Sequence, residues 1–335
     1  MIFIKIVNYD NKPYASAPVS IVSSELIKKH DPKSVNWDKK NVSSESKSLK
    51  SANVAFSEIH DEIDPFNGET DLEILSRYKS IGLSRVEFQI FLAIFDIFNK
   101  EYNKTKTLEL PVFLTLKDFH SKILCINNRI RKNDIEKYIN IFDKLSNKLI
   151  TIDTSKIINK KRKKVFIHGP IANITVISIP EDNFYGLKIF PTGYIQYECI
   201  NIRHISNYLP RKFIQLDLRA NDNILFFGYY LVRMHKLNRN ENYTISNWKS
   251  SLLKAINNAL PDPKSFIENY KNNKNQKSQY LNRHIILPIK KALEILKLQN
   301  YILKYDFVNL NTKNIFDESQ KLNITFNYYK KEFLK

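Results

Sequence analysis

The sequence has little glycine and little cysteine for its length. It contains six glycines and two cysteines in 335 residues, and neither a GxGxxG nor a GxxxxGK[ST] string occurs. Dinucleotide-binding and P-loop nucleotide folds depend on such glycines, so the sequence argues against both and against DNA melting driven by its own ATP hydrolysis. Two cysteines are too few for a disulfide framework or a multi-cysteine zinc site.

Long apolar runs are also missing. No stretch of about twenty apolar residues occurs, so we expect no membrane span. The apolar start, residues 1–9, alternates like a strand rather than like a signal peptide. With two free cysteines and no export signal, the expected compartment is the cytoplasm. The hydrophobic fraction of 43% is ample for buried cores, and the length favours two folded units.

Positive charge is abundant and unevenly placed. Lys+Arg against Asp+Glu is 13 against 14 in residues 1–100, 17 against 10 in 101–200, and 23 against 10 in 201–335, which gives the net +19. A polyanion partner explains such a surplus, because Lys and Arg release counterions from phosphate backbones. Codon bias is the alternative, since 42 of the 53 basic residues are lysines. Bias does not explain a neutral first hundred residues.

Helical and extended patterns follow one another in a set order from residue 84. Ser84 with Glu87 forms a capping box ahead of a wide apolar helical face. Thr115 caps a second predicted helix, 116–124, and Asn133 caps a third. Extended stretches are predicted at 108–114, 149–153, and from 165 and 174, with a basic run at 160–164.

A similar order recurs in the last third of the chain. Asn221 caps a helix, Ser246 caps a second helix through 256, and a lysine-rich connector spans 261–279. A third helix covers 280–298, with Leu281, Ile285, Ile289, Leu293 and Leu296 inward. Strands at 301–310 and 322–329 flank a wing at 311–320.

These patterns predict an α+β protein with two tandem winged-helix domains, whose helices carry short β-hairpin wings. The predicted organisation is an N-terminal extension at 1–80, in which 31–60 is a linker or mobile arm, then domains at 81–205 and 206–335. A small third helix beside a hairpin suits the major groove and a phosphate line of duplex DNA.

Residues 280–295, YLNRHIILPIKKALEI, resemble the recognition-helix signature of theta-type, iteron-binding plasmid replication initiators. Residues 213–218 leading into 226–231 resemble that family's entry into its second winged helix. Residues 114–119 and 135–152 resemble parts of its first. The resemblance covers about 84–330. It implies a replication initiator that binds repeated origin sites, with the second module contacting bases most strongly. It also implies that the first module aids dimerisation or phosphate contacts, and that dimers repress the protein's own gene.

The candidate DNA-binding residues fall into four groups. Asn282, Arg283 and His284 lead the presumed recognition helix, where Arg pairs with guanine and Asn with adenine. Flexible residues before the recognition helix suit phosphate contact. The basic residues before the first module's third helix and the basic run at 160–164 suit it as well. These three further groups are Lys274, Lys277, Ser278 and Gln279; Asn128, Arg129, Arg131 and Lys132; and Lys161, Arg162 and Lys163. The alternatives are a helix cap on a solvated face, a disordered loop and ordinary surface charge.

Catalysis finds little support in the sequence. His204 and His235 stand alone, and Asp217, placed in a predicted strand, is the only carboxylate of interest. We therefore expect no enzyme, no metal and no cofactor. The expected partners are duplex DNA, a second copy of the chain and host replication proteins. A winged-helix repressor or partition-type DNA-binding protein is the alternative, and an interaction scaffold with merely compositional charge is a third hypothesis.

Overall fold

The structure is a computed structural model, which describes residues 13–18, 26–27, 53–58, 82–108, 110–126, 130–153, 166–179, 184–201, 207–217, 219–237, 246–273 and 276–327. The chain forms two compact units. Unit 1 comprises 1–12 and 16–206, and unit 2 comprises 13–15 and 207–335. Helices and antiparallel sheets are mixed in both, so the expected α+β class holds.

The core of unit 1 is built around helix α1 (Arg85–Thr105). Ser84 accepts from the Glu87 N–H and Glu87 accepts from the Ser84 N–H, which confirms the predicted capping box. Phe88, Phe91 and Phe95 are fully buried, because this helix is apolar on nearly all sides.

Two further helices follow in unit 1. Strand β3 (Val112–Thr115) leads into α2 (Leu116–Asp118), which continues as a π turn, Phe119–Ile123. Thr115 accepts from the Asp118 N–H at 2.9 Å, as predicted for its cap. Helix α3 spans Lys132–Asn147 and buries Tyr138, Phe142 and Leu145. It begins at Lys132 rather than after Asn133, because the Arg131 N–H is already satisfied by the Asp134 carboxylate.

Unit 1 contains two three-stranded sheets. Strand β2 (Asn53–Glu58) pairs with β4 (Lys148–Asp153), which pairs with β5 (Phe166–Pro170). Strand β3 pairs with β7 (Phe184–Phe190), and β7 pairs with β6 (Asn173–Ile179). Helix α4 (Gly193–Asn201) follows. The interpretation of 31–60 as a linker is wrong for 53–58, because those residues pair with a strand about 90 positions away.

Unit 2 opens with strand β8 (Asn207–Pro210) and the single turn α5 (Arg211–Ile214). The Arg211 N–H donates to the carbonyl of Pro13 at 2.9 Å, and β8 pairs with β1 (Tyr14–Ala17). Asp217 lies in a turn, where its carboxylate accepts from the Arg219 N–H. The predicted strand through Asp217 is therefore wrong.

The remaining elements of unit 2 follow in the order helix, strand, helix, helix, long helix, hairpin. They are α6 (Asp222–Leu237), β9 (Ser246–Ser251), α7 (Leu252–Ala259), α8 (Pro263–Asn272), α9 (Lys277–Leu281), a π turn (Asn282–Ile286), α10 (Leu287–Leu298), β10 (Ile302–Val308) and β11 (Lys321–Phe326). The sheet order is β10-β11-β9, all antiparallel.

Two boundaries in unit 2 differ from expectation. Ser246 begins a strand, and Ser251 is the cap of α7, since its side chain accepts from the Lys254 N–H. The supposed connector contains helix α8, which Asp262 caps and Pro263 starts. Phe266 and Tyr270, one helical turn apart, are buried, so α8 gains stability from packing despite its polar composition.

Both units contain a helix, a strand, further helices and a hairpin in that order, but unit 2 has one more helix, α8, between the strand and the hairpin. The strand pairing also differs. In unit 2 the strand after α6, β9, joins the hairpin that follows the long helix. In unit 1 the strand after α1, β3, joins a second hairpin, β6–β7, and the hairpin β4–β5 pairs with β2 instead. The two sheets of unit 1 therefore have no full counterpart in the described part of unit 2.

Candidate nucleic-acid interface

A continuous helical segment, 277–298, crosses unit 2 with one face inward and one face outward. All five predicted inward residues are buried, namely Leu281, Ile285, Ile289, Leu293 and Leu296. The outward face carries exposed polar and basic side chains together with Leu287, which is 47% exposed: Gln279, Asn282, Arg283, Lys290, Lys291, Glu294 and Lys297. The helix begins three residues earlier than predicted, so Lys277, Ser278 and Gln279 lie in its first turn rather than in a loop.

Charge separates this segment from its counterpart in unit 1. Residues 277–298 carry five Lys+Arg and one Glu, a net +4, with His284 neutral. Helix α3 carries three Lys and three Asp+Glu, a net of zero. Attraction for a polyanion therefore concentrates on the unit 2 segment.

The middle of the segment is a π turn followed by a proline. The Leu287 N–H donates to the Asn282 carbonyl, five residues earlier. Pro288 has no N–H. An N–H at position 288 would donate to the Arg283 carbonyl if the π pattern continued, or to the His284 carbonyl if the α pattern resumed, so neither carbonyl has that donor. A helical carbonyl without a donor needs another partner when water is restricted.

Two asparagines at the start of α6 supply those donors. Asn221 Nδ2 donates to the Arg283 carbonyl at 3.3 Å, and Asn223 Nδ2 donates to the His284 carbonyl at 2.7 Å. Asn221 Oδ1 also accepts from the Asn223 N–H at 3.1 Å, which fits its predicted role as a cap. Sequence reasoning missed the contacts to the turn, although Pro288 inside a helix was a signal that carbonyls needed donors.

His284 is half-buried beside Tyr280. Their ring centroids are 4.5 Å apart, and Tyr280 stacks in turn on Phe266 of α8 at 5.4 Å. Desolvation, with repulsion from Arg283 second, lowers the pKa of His284 below its usual range. His284 is therefore neutral at pH 7. Its ring packs against Tyr280 rather than extending into solvent beside Arg283.

The loop 309–320 between β10 and β11 is closed by a buried glutamine. The Gln320 carboxamide donates to the carbonyl of Asn314 and accepts from the Asn311 N–H at 2.9 Å. The loop contains Lys313 against Asp317 and Glu318, so it is net acidic. Its carboxylates would repel a polyanion, and Lys313 is its one basic side chain.

The loop also contacts the long helix and α8. Ser278 Oγ lies 2.6 Å from Thr312 Oγ1, and Phe316 packs against Tyr270 with ring centroids 6.4 Å apart. Lys271 Nζ stands 5.5 Å from the Phe316 ring centre, and Lys277 Nζ stands 5.6 Å from that of Tyr270. Lys277 and Ser278 are therefore ordered side chains, not members of a loose connector.

In unit 1, Arg131 and Lys132 are exposed at the start of α3. Asn128, Arg129, Lys161, Arg162, Lys163 and Lys274 lie outside the described residues, so their predicted roles stay predictions. Within the described part of the chain, no group of three or more His, Cys, Asp or Glu side chains is placed to hold a metal ion. No described helix is long and apolar enough to cross a membrane.

No family model, curated protein or solved structure matches the chain.

Proposed function

We propose that the protein is a sequence-specific duplex DNA-binding replication initiator of a plasmid or related element. It binds repeated origin sites through two winged helices, and it opens an adjacent AT-rich segment with the help of host replication proteins. The proposal includes dimer formation, a cytoplasmic location and no catalytic activity of its own.

One observation carries the proposal: Gln279, Asn282 and Arg283 face solvent on one side of a helical segment of net charge +4. Side chains of these types bond to base edges in the major groove, Arg to guanine and Asn or Gln to adenine. A helix of about 10–12 Å diameter fits that groove.

The order of elements in unit 2 supports a winged helix. Along the chain, the hairpin β10–β11 directly follows the helical segment that carries Gln279, Asn282 and Arg283, and β11 also pairs with β9. A helix followed by such a hairpin is the layout of a winged helix. Unit 1 has a similar order up to its first hairpin, without a counterpart of α8 and with different strand pairing. Its helix α3 has no net charge. This favours a role for unit 1 in dimer formation or auxiliary contacts rather than in base recognition.

The initiator assignment itself comes from the resemblance of residues 280–295 to the theta-type initiator signature. Nuclease footprinting on DNA from upstream of the protein's own gene tests it. We expect several protected direct repeats at regular spacing, since an initiator occupies repeated sites. A scrambled fragment of equal length and composition is the control.

Other footprints would assign another function. One inverted repeat would replace the initiator with the repressor or partition alternative. Equal binding to the upstream and scrambled fragments would overturn sequence-specific recognition and favour the scaffold hypothesis.

A further inference from the structure

The carbonyls of Arg283 and His284 depend on side chains from another helix. Pro288 has no N–H to donate to either carbonyl, and the Leu287 N–H already donates to the Asn282 carbonyl. The two carbonyls are instead bonded to the carboxamides of Asn221 and Asn223, at 3.3 and 2.7 Å. The backbone of the exposed turn is therefore fixed by tertiary contacts.

The orientation of the Asn221 carboxamide is set by a second bond. Its oxygen accepts from the Asn223 N–H at 3.1 Å, so its NH₂ group is the end that faces the Arg283 carbonyl. One side chain thus caps α6 and holds the turn at the same time.

Capping alone does not require asparagine at either position. Aspartate caps a helix as well as asparagine does, and an acidic residue at the second helical position, where Asn223 stands, would suit the helix dipole better. Only the carboxamide adds a donor. The NH₂ groups of the two asparagines therefore serve the two carbonyls, while the Asn221 oxygen serves the cap of α6.

We propose that Asn221 and Asn223 are positioning residues, which hold the turn so that Asn282 and Arg283 meet bases in one fixed geometry. This inference rests on the proposed function. Base-edge hydrogen bonds lose strength with small shifts of the donor, whereas phosphate attraction tolerates them. Loosening the turn therefore lowers discrimination between DNA sequences more than it lowers general DNA affinity.

The experiment compares Asn223→Ala with wild type on cognate and scrambled DNA. We expect cognate affinity to fall about tenfold, the size of effect expected when a hydrogen-bonded acceptor is left unpaired, and scrambled affinity to change less than about twofold. Asn247→Ala is the matched control, because Asn247 is an exposed asparagine of the same unit on β9, where it accepts from the Thr325 hydroxyl. It should leave both affinities unchanged.

Pro288→Ala gives a sharper test, because it returns an N–H to the helical ladder. In that background Asn223→Ala should cost much less cognate affinity than it does alone, since the His284 carbonyl then has a second donor. Asn221→Asp separates the two roles of Asn221. It keeps the cap and removes the donor, so it should lower discrimination with little change in thermal midpoint.

Two results would overturn the positioning role. One is an equal loss on cognate and scrambled DNA. The other is an Asn223→Ala effect that is undiminished beside Pro288→Ala.

Amide hydrogen exchange of 282–290 in free protein separates this inference from the proposed function. We expect faster exchange in Asn223→Ala and wild-type exchange in Asn247→Ala. If the wild-type protein binds all DNA sequences equally, the proposed function is overturned, and with it the role of the turn in base recognition. Faster exchange would then still show that the asparagines hold the turn, and unchanged exchange would remove that claim too.

Discussion

The ring of Phe213 lies directly against Gly228, in the middle of helix α6. A Cβ added at Gly228 would stand 2.2 Å from Phe213 Cε1 and 2.3 Å from Cζ. Phe213 is fully buried on the short helix α5. The absence of a side chain at Gly228 is what lets α5 approach α6 so closely.

Gly228→Ala should destabilise unit 2, although the same change in an open helix gains about 1 kcal/mol. Overpacking of a filled core costs about 1–3 kcal/mol and outweighs that gain. Urea unfolding followed by circular dichroism measures the difference. Gly169→Ala is the control, because a Cβ added at Gly169 would have no atom within 4 Å. A higher midpoint for Gly228→Ala would show that the Phe213 ring moves away easily.

Lys148→Met should destabilise unit 1 strongly. Lys148 Nζ lies 3.0 Å from Glu87 Oε2, and both side chains are at most 8% exposed. Removing one partner leaves a buried charge and costs about 3–5 kcal/mol. Adding Glu87→Gln should recover most of the loss, because glutamine keeps the capping box with Ser84. Hydrogen exchange of the α1 peptides measures both variants, and a double variant no better than Lys148→Met would contradict the ion-pair argument.

Arg283→Ala should lower affinity for a cognate DNA site by about 1–3 kcal/mol and relax base preference at one position. Lys291→Ala on the same exposed face is the matched control. It should weaken cognate and scrambled DNA alike and reduce the salt slope by about one. Titrations at several salt concentrations distinguish the two patterns. If the two variants behave identically, Arg283 does not read bases.

Leu287 should contact a thymine methyl group, since it is the large apolar side chain on the exposed face beside Arg283. Apolar contact with that methyl is one of the major-groove readouts. Replacing thymines by uracil in the bound site, one at a time, should weaken wild type at one position. Leu287→Ala should not respond to that replacement. A wild type that is indifferent to every thymine methyl would exclude the contact.

His284 should make unit 2 less stable in mild acid. Its pKa is lowered in the folded protein, so the unfolded chain binds more protons below the ordinary value of about 6.5. Stability therefore falls as pH drops from about 6.5 toward the lowered value, and levels off below it. Urea midpoints from pH 7.5 to 5 should fall less for His284→Gln than for wild type. Parallel curves would show that His284 does not titrate differently on folding.

Local signals predicted much of the fold. Ser84, Thr115 and Asn221 cap helices as their side chains suggest, and the inward face of 281–296 is buried as its spacing indicates. These features depend on residues within one or two helical turns, which a sequence displays directly.

Features that depend on distant partners were not predictable in the same way. Strand β2 exists because it pairs with β4, and α8 was hidden by its lysines and asparagines although Asp262 and Pro263 mark its start. The bond from Asn223 to His284 joins residues 61 positions apart. Of the candidate interface, the sequence singled out the exposed Gln279, Asn282 and Arg283, but neither the basic residues further along the helix nor the asparagines that bond to the turn.

The closed loop after β10 has a consequence for the thermodynamics of any encounter. Gln320 already fixes the backbone at Asn311 and Asn314. The hairpin tip therefore loses little conformational entropy when a partner binds. Binding by unit 2 should then show a modest entropic penalty and a small heat-capacity change attributable to folding on contact.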